Sequence, residues 1–328
     1  MLNGLLKSHS KFLFTIPALA ILNFCSLGLA QSVGKPLALP TRYDEHRFYV
    51  EPVTLDGARL NFFTDTGGGL FIFSDLVERL KLPTTKIEEN GQTIELVQPP
   101  KFKEGASIPT PLGSRESLFV LPSSQRDSFS QDWSGMLGQK WFAERVWTFD
   151  YPNRRLMLRA NGDLPKNKNE HRVALGFQKN SAGKRTTNFP RIQVLIDGET
   201  LDLLFDTGAS TELSKNALAA LKDKRPATRA TSFIAANIFE KWRKRHPEWR
   251  VIENAEKGSG EPIIEVPRVS IAGYSVGSIW FTRRSDKNFH EYMSQWMDKR
   301  IEGAIGGNAL RHFRVSVDYP RAVAVFEK

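Results

Sequence analysis

Leu60-Asn61-Phe62-Phe63-Thr64-Asp65-Thr66-Gly67 and, in the second half of the chain, Leu201-Asp202-Leu203-Leu204-Phe205-Asp206-Thr207-Gly208 are two versions of one pattern. In each, an apolar run ends in Asp-Thr-Gly. In each, an Asp-Gly pair, Asp56-Gly57 or Asp197-Gly198, lies nine places ahead of the Asp of that triplet. Asp-Gly between short apolar runs predicts a hairpin, because both residues tolerate positive φ.

The copies also end alike. Gly135-Met136-Leu137-Gly138 through Trp147-Thr148-Phe149-Asp150-Tyr151-Pro152 matches Gly303-Ala304-Ile305-Gly306 through Val315-Ser316-Val317-Asp318-Tyr319-Pro320, without a gap. Two segments repeated in the same order identify a duplicated unit. The offset between copies rises from 141 at the Asp-Thr-Gly triplets to 168 at these later segments, so the second copy is longer by 27 in its middle. The expected place for the extra length is 232–249, where apolar residues at helical spacing share a helix with Lys241, Arg243, Lys244 and Arg245. Such a cationic face is either a solvated helix surface or a dock for an acidic polymer.

Each copy reads mostly as short strands. Short helices are predicted after each Asp-Thr-Gly, within Phe71 to Leu82 and Glu212 to Leu221. Paired strands are predicted around each Asp-Tyr-Pro. A polar stretch without apolar period, at 160–170, separates a first lobe at 45–159 from a second at 171–328.

An apolar strand ending in Asp-Thr-Gly presents a carboxylate at the tip of a turn. Gly67 and Gly208 allow the bend and leave room for a substrate chain, and their amides can donate to the adjacent carboxylate. Thr66 and Thr207 supply hydroxyls able to bond across to the opposite loop. Brought together about a twofold axis, Asp65 and Asp206 would share one proton. One carboxyl could then take a proton from a trapped water while the other polarises a scissile carbonyl, hydrolysing an amide without metal or covalent intermediate.

Phe63-Thr64-Asp65-Thr66-Gly67 and Leu204-Phe205-Asp206-Thr207-Gly208-Ala209-Ser210 resemble the catalytic loops of the retropepsin-like and pepsin-like aspartic peptidases. Gly135-Met136-Leu137-Gly138 and Gly303-Ala304-Ile305-Gly306 resemble the segments that brace those loops. The resemblance implies a mainly β, bilobal acid-protease fold: two retropepsin-like barrel lobes about a pseudo-twofold axis, complete in one chain. It also implies an aspartic endopeptidase with Asp65 and Asp206 as the catalytic pair, Thr66, Gly67, Thr207 and Gly208 as loop support, and no cofactor or metal. A non-catalytic peptide-binding module on the same fold is the alternative. Ala209 follows the retroviral pattern. The first loop departs from it, with Gly68 and Gly69 in place of Ala or Ser and its neighbour, and is expected to be looser. In these folds a hairpin flap covers an extended polypeptide substrate. Asn90-Gly91 in the first lobe and Gly258-Ser259-Gly260 in the second are the candidates.

The segment 1–30 differs from the rest. Lys7 precedes the apolar run Phe12 to Phe24, and Gly28-Leu29-Ala30 offers small residues for cleavage, the pattern of a secretory signal followed by a linker at 31–44. Export to the periplasm or the extracellular space is expected. Cleavage would remove Cys25, the one cysteine, and lower the formal charge from +10 to +8. An exported basic chain suggests contact with anionic envelope polymers more than with nucleic acid. The apolar fraction of 40% and charged fraction of 25% suit a folded globular chain. Tryptophans such as Trp133, Trp141 and Trp147 suit core and cleft wall. His46, His171, His246, His290 and His312 lack metal-ligand spacing, and Ser210 lacks a nucleophile elbow.

Overall fold

The computed structural model describes residues 35–89, 91–111, 116–129, 132–166 and 168–328. The proposed signal segment and Asn90 lie outside the described residues.

Among the described residues each lobe is built on one large sheet. In the first, the strand order is Thr84–Glu89, Gln92–Val97, Leu118–Leu121, Leu70–Phe73, Gly135–Leu137, Phe62–Thr64, Arg47–Val50, Thr41–Asp44. In the second it is Val251–Ile252, Ile263–Val266, Ile279–Arg284, Ser232–Ala235, Gly303–Ile305, Glu199–Phe205, Arg191–Ile196, Val269–Ile271, Tyr274–Val276. Seven successive places correspond one to one. The duplication read from sequence is therefore a duplication of topology. The fold is mainly β and bilobal.

Local chemistry explains the strand ends. Asp197 and Gly198 both take positive φ, 51° and 76°, and close the tight hairpin in which Ile196 pairs with Glu199. Along Arg191–Ile196 the exposed residues Gln193 and Leu195 alternate with the buried Ile192, Val194 and Ile196, so one face of this strand packs on the core.

A third sheet joins the lobes. Its order is Leu37–Ala38, Arg155–Arg159, Val146–Asp150, Arg314–Asp318, Val323–Glu327, Arg172–Ala174. Three strands come from each half of the chain. At its centre Val146–Asp150 runs antiparallel to Arg314–Asp318, with Thr148 opposite Ser316. These two occupy the same place in the repeat, and their hydroxyls hydrogen-bond at 2.8 Å, fully buried. The pseudo-twofold axis passes between them. Every residue of Val146–Asp150 is buried, as are all but Arg314 on the facing strand.

Strand register corrects the position of the extra length. Phe71 pairs with Met136 in the first lobe, and Phe233 pairs with Ala304 in the second. Phe71 and Phe233 are thus equivalent, and the offset between them already contains most of the increase over that of the Asp-Thr-Gly turns. The extra length therefore lies mainly between Gly208 and Phe233, with only a small remainder beyond. This larger block is an excursion made of the strand Ser210–Glu212, the helix Lys215–Leu221 and the strand Thr228–Ala230. Ser214 caps that helix by accepting from the Ala217 amide. The helix Ala236–Arg245, expected to be the insertion, is instead the counterpart of Ser74–Arg79, since each directly follows the equivalent strand. Its apolar stripe, Ile238, Phe239 and Trp242, is buried on the core. Its cations Lys241, Arg243 and Arg245 pair with Glu199, Glu253 and Asp197.

Candidate active site

Asp65 and Asp206 end equivalent strands that are each held from the side by a bracing segment. Phe62, Phe63 and Thr64 pair in parallel with Gly135, Met136 and Leu137; Leu203, Leu204 and Phe205 pair in parallel with Gly303, Ala304 and Ile305. The last rung fixes the aspartates themselves. The Asp65 amide donates to the Leu137 carbonyl at 3.1 Å, and the Asp206 amide to that of Ile305 at 3.0 Å. Both turns then offer an amide to their own carboxylate, Gly67 to Asp65 at 2.8 Å and Gly208 to Asp206 at 3.1 Å.

The two turns are locked together by their threonines, both fully buried. Thr66 Oγ1 donates to the Phe205 carbonyl at 2.6 Å and accepts from the Thr207 amide at 3.0 Å. Thr207 Oγ1 accepts from the Thr66 amide at 3.2 Å. Thr66 thus bonds two backbone groups of the other lobe.

This lock brings the carboxyls together. A Cβ added to Gly67 would stand 2.9 Å from Asp206 Cγ, and one added to Gly208 would run into the Asp65 carboxyl. Each glycine is where the opposing aspartate needs space. Asp65 is 7% exposed; Asp206 keeps partial access to the surface although its carboxyl is packed round by protein. Burial pushes the Asp206 carboxyl well above the ordinary carboxylate range. The Asp65 charge and a hydrogen bond between the two carboxyls push the same way, and the Gly208 amide only partly opposes them.

The first loop is not loose. A Cβ on Gly68 would lie 2.5 Å from Met136 Sδ and 2.7 Å from Asp65 Oδ2. The volume of a side chain at this position is taken up by Met136. The second lobe holds Ala209 and Ala304 at the equivalent positions, together in one apolar cluster with Leu204 and Phe233. Equivalent places are thus packed from the bracing segment alone in the first lobe and by a methyl from each segment in the second.

The strand leading to Asp65, Phe62–Thr64, carries an aromatic cluster on one side. Phe63 stacks on Trp133 at 4.3 Å between centroids and tilts against Tyr49 at 5.1 Å. Trp133 is buried in this cluster with Phe71, Phe73 and Met136, a core position as expected.

The two flap candidates differ. Thr84–Glu89 and Gln92–Val97 form a regular hairpin at the free end of the first-lobe sheet, with mostly exposed side chains. The second-lobe tip is tied down. Glu256, buried, receives two hydrogen bonds from Arg284 at 2.7 and 2.8 Å, and further ones from Thr211 and Ser259. Lys257 bonds Glu212 through both its amide and its ammonium. The sequence offers no signal for the Glu256–Arg284 pair, whose members come from separate segments and follow no motif.

Neither a protein-family model nor a curated protein sequence matches this chain. Solved structures do match. An aspartic proteinase from Irpex lacteus superposes with a TM-score of 0.52 at 11% identity, covering 90% of this chain and 97% of its own. Basic 7S globulin from soybean (TM-score 0.45, 9% identity, 89% and 94% covered) and conglutin gamma from lupine seeds (0.43, 11%, 90% and 95%) align less closely. The first of these carries the comparison: the chain has the fold of an aspartic proteinase across nearly its whole length.

Proposed function

We propose that the chain is an aspartic endopeptidase that hydrolyses peptide bonds with a water activated between Asp65 and Asp206. The observation that carries this reading is the mutual lock of the two Asp-Thr-Gly turns, which holds two carboxyls within hydrogen-bonding reach of each other. A pair so close shares one proton and one negative charge. Burial favours the proton on Asp206. The charged carboxylate takes a proton from the water as it attacks the carbonyl carbon. The protonated carboxyl donates to the carbonyl oxygen, giving a tetrahedral gem-diol. Collapse returns a proton to the leaving nitrogen and regenerates the shared-proton state. The first-lobe hairpin, largely exposed, would add a strand over an extended polypeptide lying in the cleft, and one chain suffices for the site. Export directed by the segment 1–30 would present it with exported or envelope polypeptides.

Cleavage of a peptide library at several pH values, with and without a statine-type inhibitor, tests this reading. Asp65→Asn and Asp206→Asn should each lower turnover by about 10²- to 10⁴-fold, the usual contribution of a positioned acid or base. Near-normal turnover in either variant, or no cleavage by the parent chain at any pH, would refute it. Activity should also fall as pH rises and the shared proton leaves.

A further inference from the structure

The excursion at 210–230, which the first lobe lacks, does more than lengthen the second. Between it and the second-lobe sheet lies a cavity of about 130 Å³. An engineered apolar cavity of about 150 Å³ holds a benzene molecule, so this space admits a ligand group larger than an ion. Neither Asp65 nor Asp206 lines it. Part of its lining is apolar, from Leu213, Leu221, Ile263 and Trp280; Arg225, Arg229 and Arg311 bring three guanidinium groups, with hydroxyl and amide side chains such as Ser278 and Asn308 between them.

Two of those arginines are already matched. Arg225 donates to Glu45 from Nε and a terminal nitrogen, at 2.9 and 2.5 Å. Arg229 is paired with Asp223, which also lines the cavity, and donates to the Pro226 and Arg225 carbonyls. Arg311 has no carboxylate partner among the described residues; its Nε points to His312 Nε2 at 3.4 Å. It is half-buried, and both burial and the facing Arg225 disfavour its charge. The surrounding field is positive: His46, on the neighbouring first-lobe turn, is lowered to about 3 by burial and then by Arg225, Arg311, His312 and Arg154.

We infer that this cavity binds an apolar monocarboxylate, with Arg311 holding the carboxyl group and Leu213, Leu221, Ile263 and Trp280 holding the apolar body. The charge count sets the valence. With Arg225 and Arg229 neutralised, one cation is left over, and a single negative charge balances it. A planar guanidinium fork matches a carboxylate in two parallel hydrogen bonds. The apolar walls reward a ligand that carries hydrocarbon beside that group. Two sources share this chemistry, the carboxyl-terminal apolar residue of a peptide and a free apolar acid.

Calorimetric titration of the full chain tests the assignment, with a statine-type inhibitor present so that the dyad cleft is filled. N-acetyl-leucine should bind, while N-acetyl-leucinamide and acetate should bind at least tenfold more weakly. Arg311→Gln should weaken N-acetyl-leucine binding at least tenfold at an unchanged melting temperature, and Arg311→Lys less than that. A peptide ending in leucine binding more tightly than octanoate assigns the peptide source, and the reverse order the free acid; either order supports the site. No binding of N-acetyl-leucine, equal binding by Arg311→Gln, or preference for inorganic phosphate would overturn it. Binding that vanishes only when the inhibitor is added would also overturn it, by assigning the ligand to the dyad cleft. The result does not depend on turnover, so it can fail while the peptidase reading stands.

Discussion

Gly68 and Met136 are two halves of one exchange: the side chain that Gly68 lacks is replaced in space by the thioether of Met136, 2.5 Å from where a Cβ would be. In the second lobe the same two places are held by Ala209 and Ala304. Large-plus-none behind one aspartate and small-plus-small behind the other are two ways of packing equivalent places, and close packing couples the two choices.

Gly68→Ala should therefore misplace Asp65, because the added methyl also meets Asp65 Oδ2 at 2.7 Å. Overpacking of this kind costs about 1–3 kcal/mol. Met136→Ala alone should leave a cavity and cost about 2–5 kcal/mol. The double variant copies the second lobe and should be more stable than the sum of the two losses allows. Chemical denaturation of all four proteins gives the coupling, and additive losses would show that the two side chains do not share a space.

Asp206 makes stability depend on pH in a defined direction. Its carboxyl holds a proton more tightly folded than unfolded, where the reference value is 3.8. Folding therefore takes up a proton between that value and the raised folded one. The associated stability is complete below pH 3.8 and is lost as pH rises through the folded value. Asp206→Asn removes this dependence. It should match the parent near the acid end of that window, exceed it in melting temperature at neutral pH, and keep its lowered turnover throughout.

The threonine lock is unequal. Thr66 Oγ1 bonds both the Phe205 carbonyl and the Thr207 amide, whereas the bond made by Thr207 Oγ1 is the single longer one from the Thr66 amide. Thr66→Val leaves two buried backbone groups without that partner, at about 1–3 kcal/mol each. Thr207→Val leaves one. Thermal unfolding should rank Thr66→Val as the more damaging, with Thr66→Ser close to the parent.

Glu256 and Arg284 are both nearly buried, at 8% and 6% exposure. Removing one member of such a pair strands the other and costs about 3–5 kcal/mol. Arg284→Met should lower stability by that order and loosen the tip around Gly258 to Gly260. Amide exchange at 254–261 reports the second effect; unchanged protection there would show that the tip is held by other contacts.

The duplication was legible because its carriers are backbone-determined. Asp-Gly turns, Asp-Thr-Gly ends and glycine-flanked bracing segments impose their geometry wherever they occur, and together they imply that Asp65 meets Asp206. The excess length was misplaced for an equally physical reason. Helical periodicity at Ala236–Arg245 is real, but periodicity cannot tell an inserted helix from an inherited one; only the pairing of Phe233 with Ala304 can. The Met136 compensation and the Arg311 cavity were illegible because they are contacts between segments distant in the chain. Gly68 stands out in sequence as a departure, yet its counterpart lies in the separate bracing segment.

The register at Thr148 and Ser316 also bears on how the two halves would behave if severed. Each half would carry three strands of the joining sheet and end it on a bare strand that is now wholly or almost wholly buried, Val146–Asp150 or Arg314–Asp318. An unpaired edge of that kind recruits a partner strand. Cut within 160–166, the chain should yield fragments that are insoluble alone and reassociate when co-expressed, each acting as the other's chaperone.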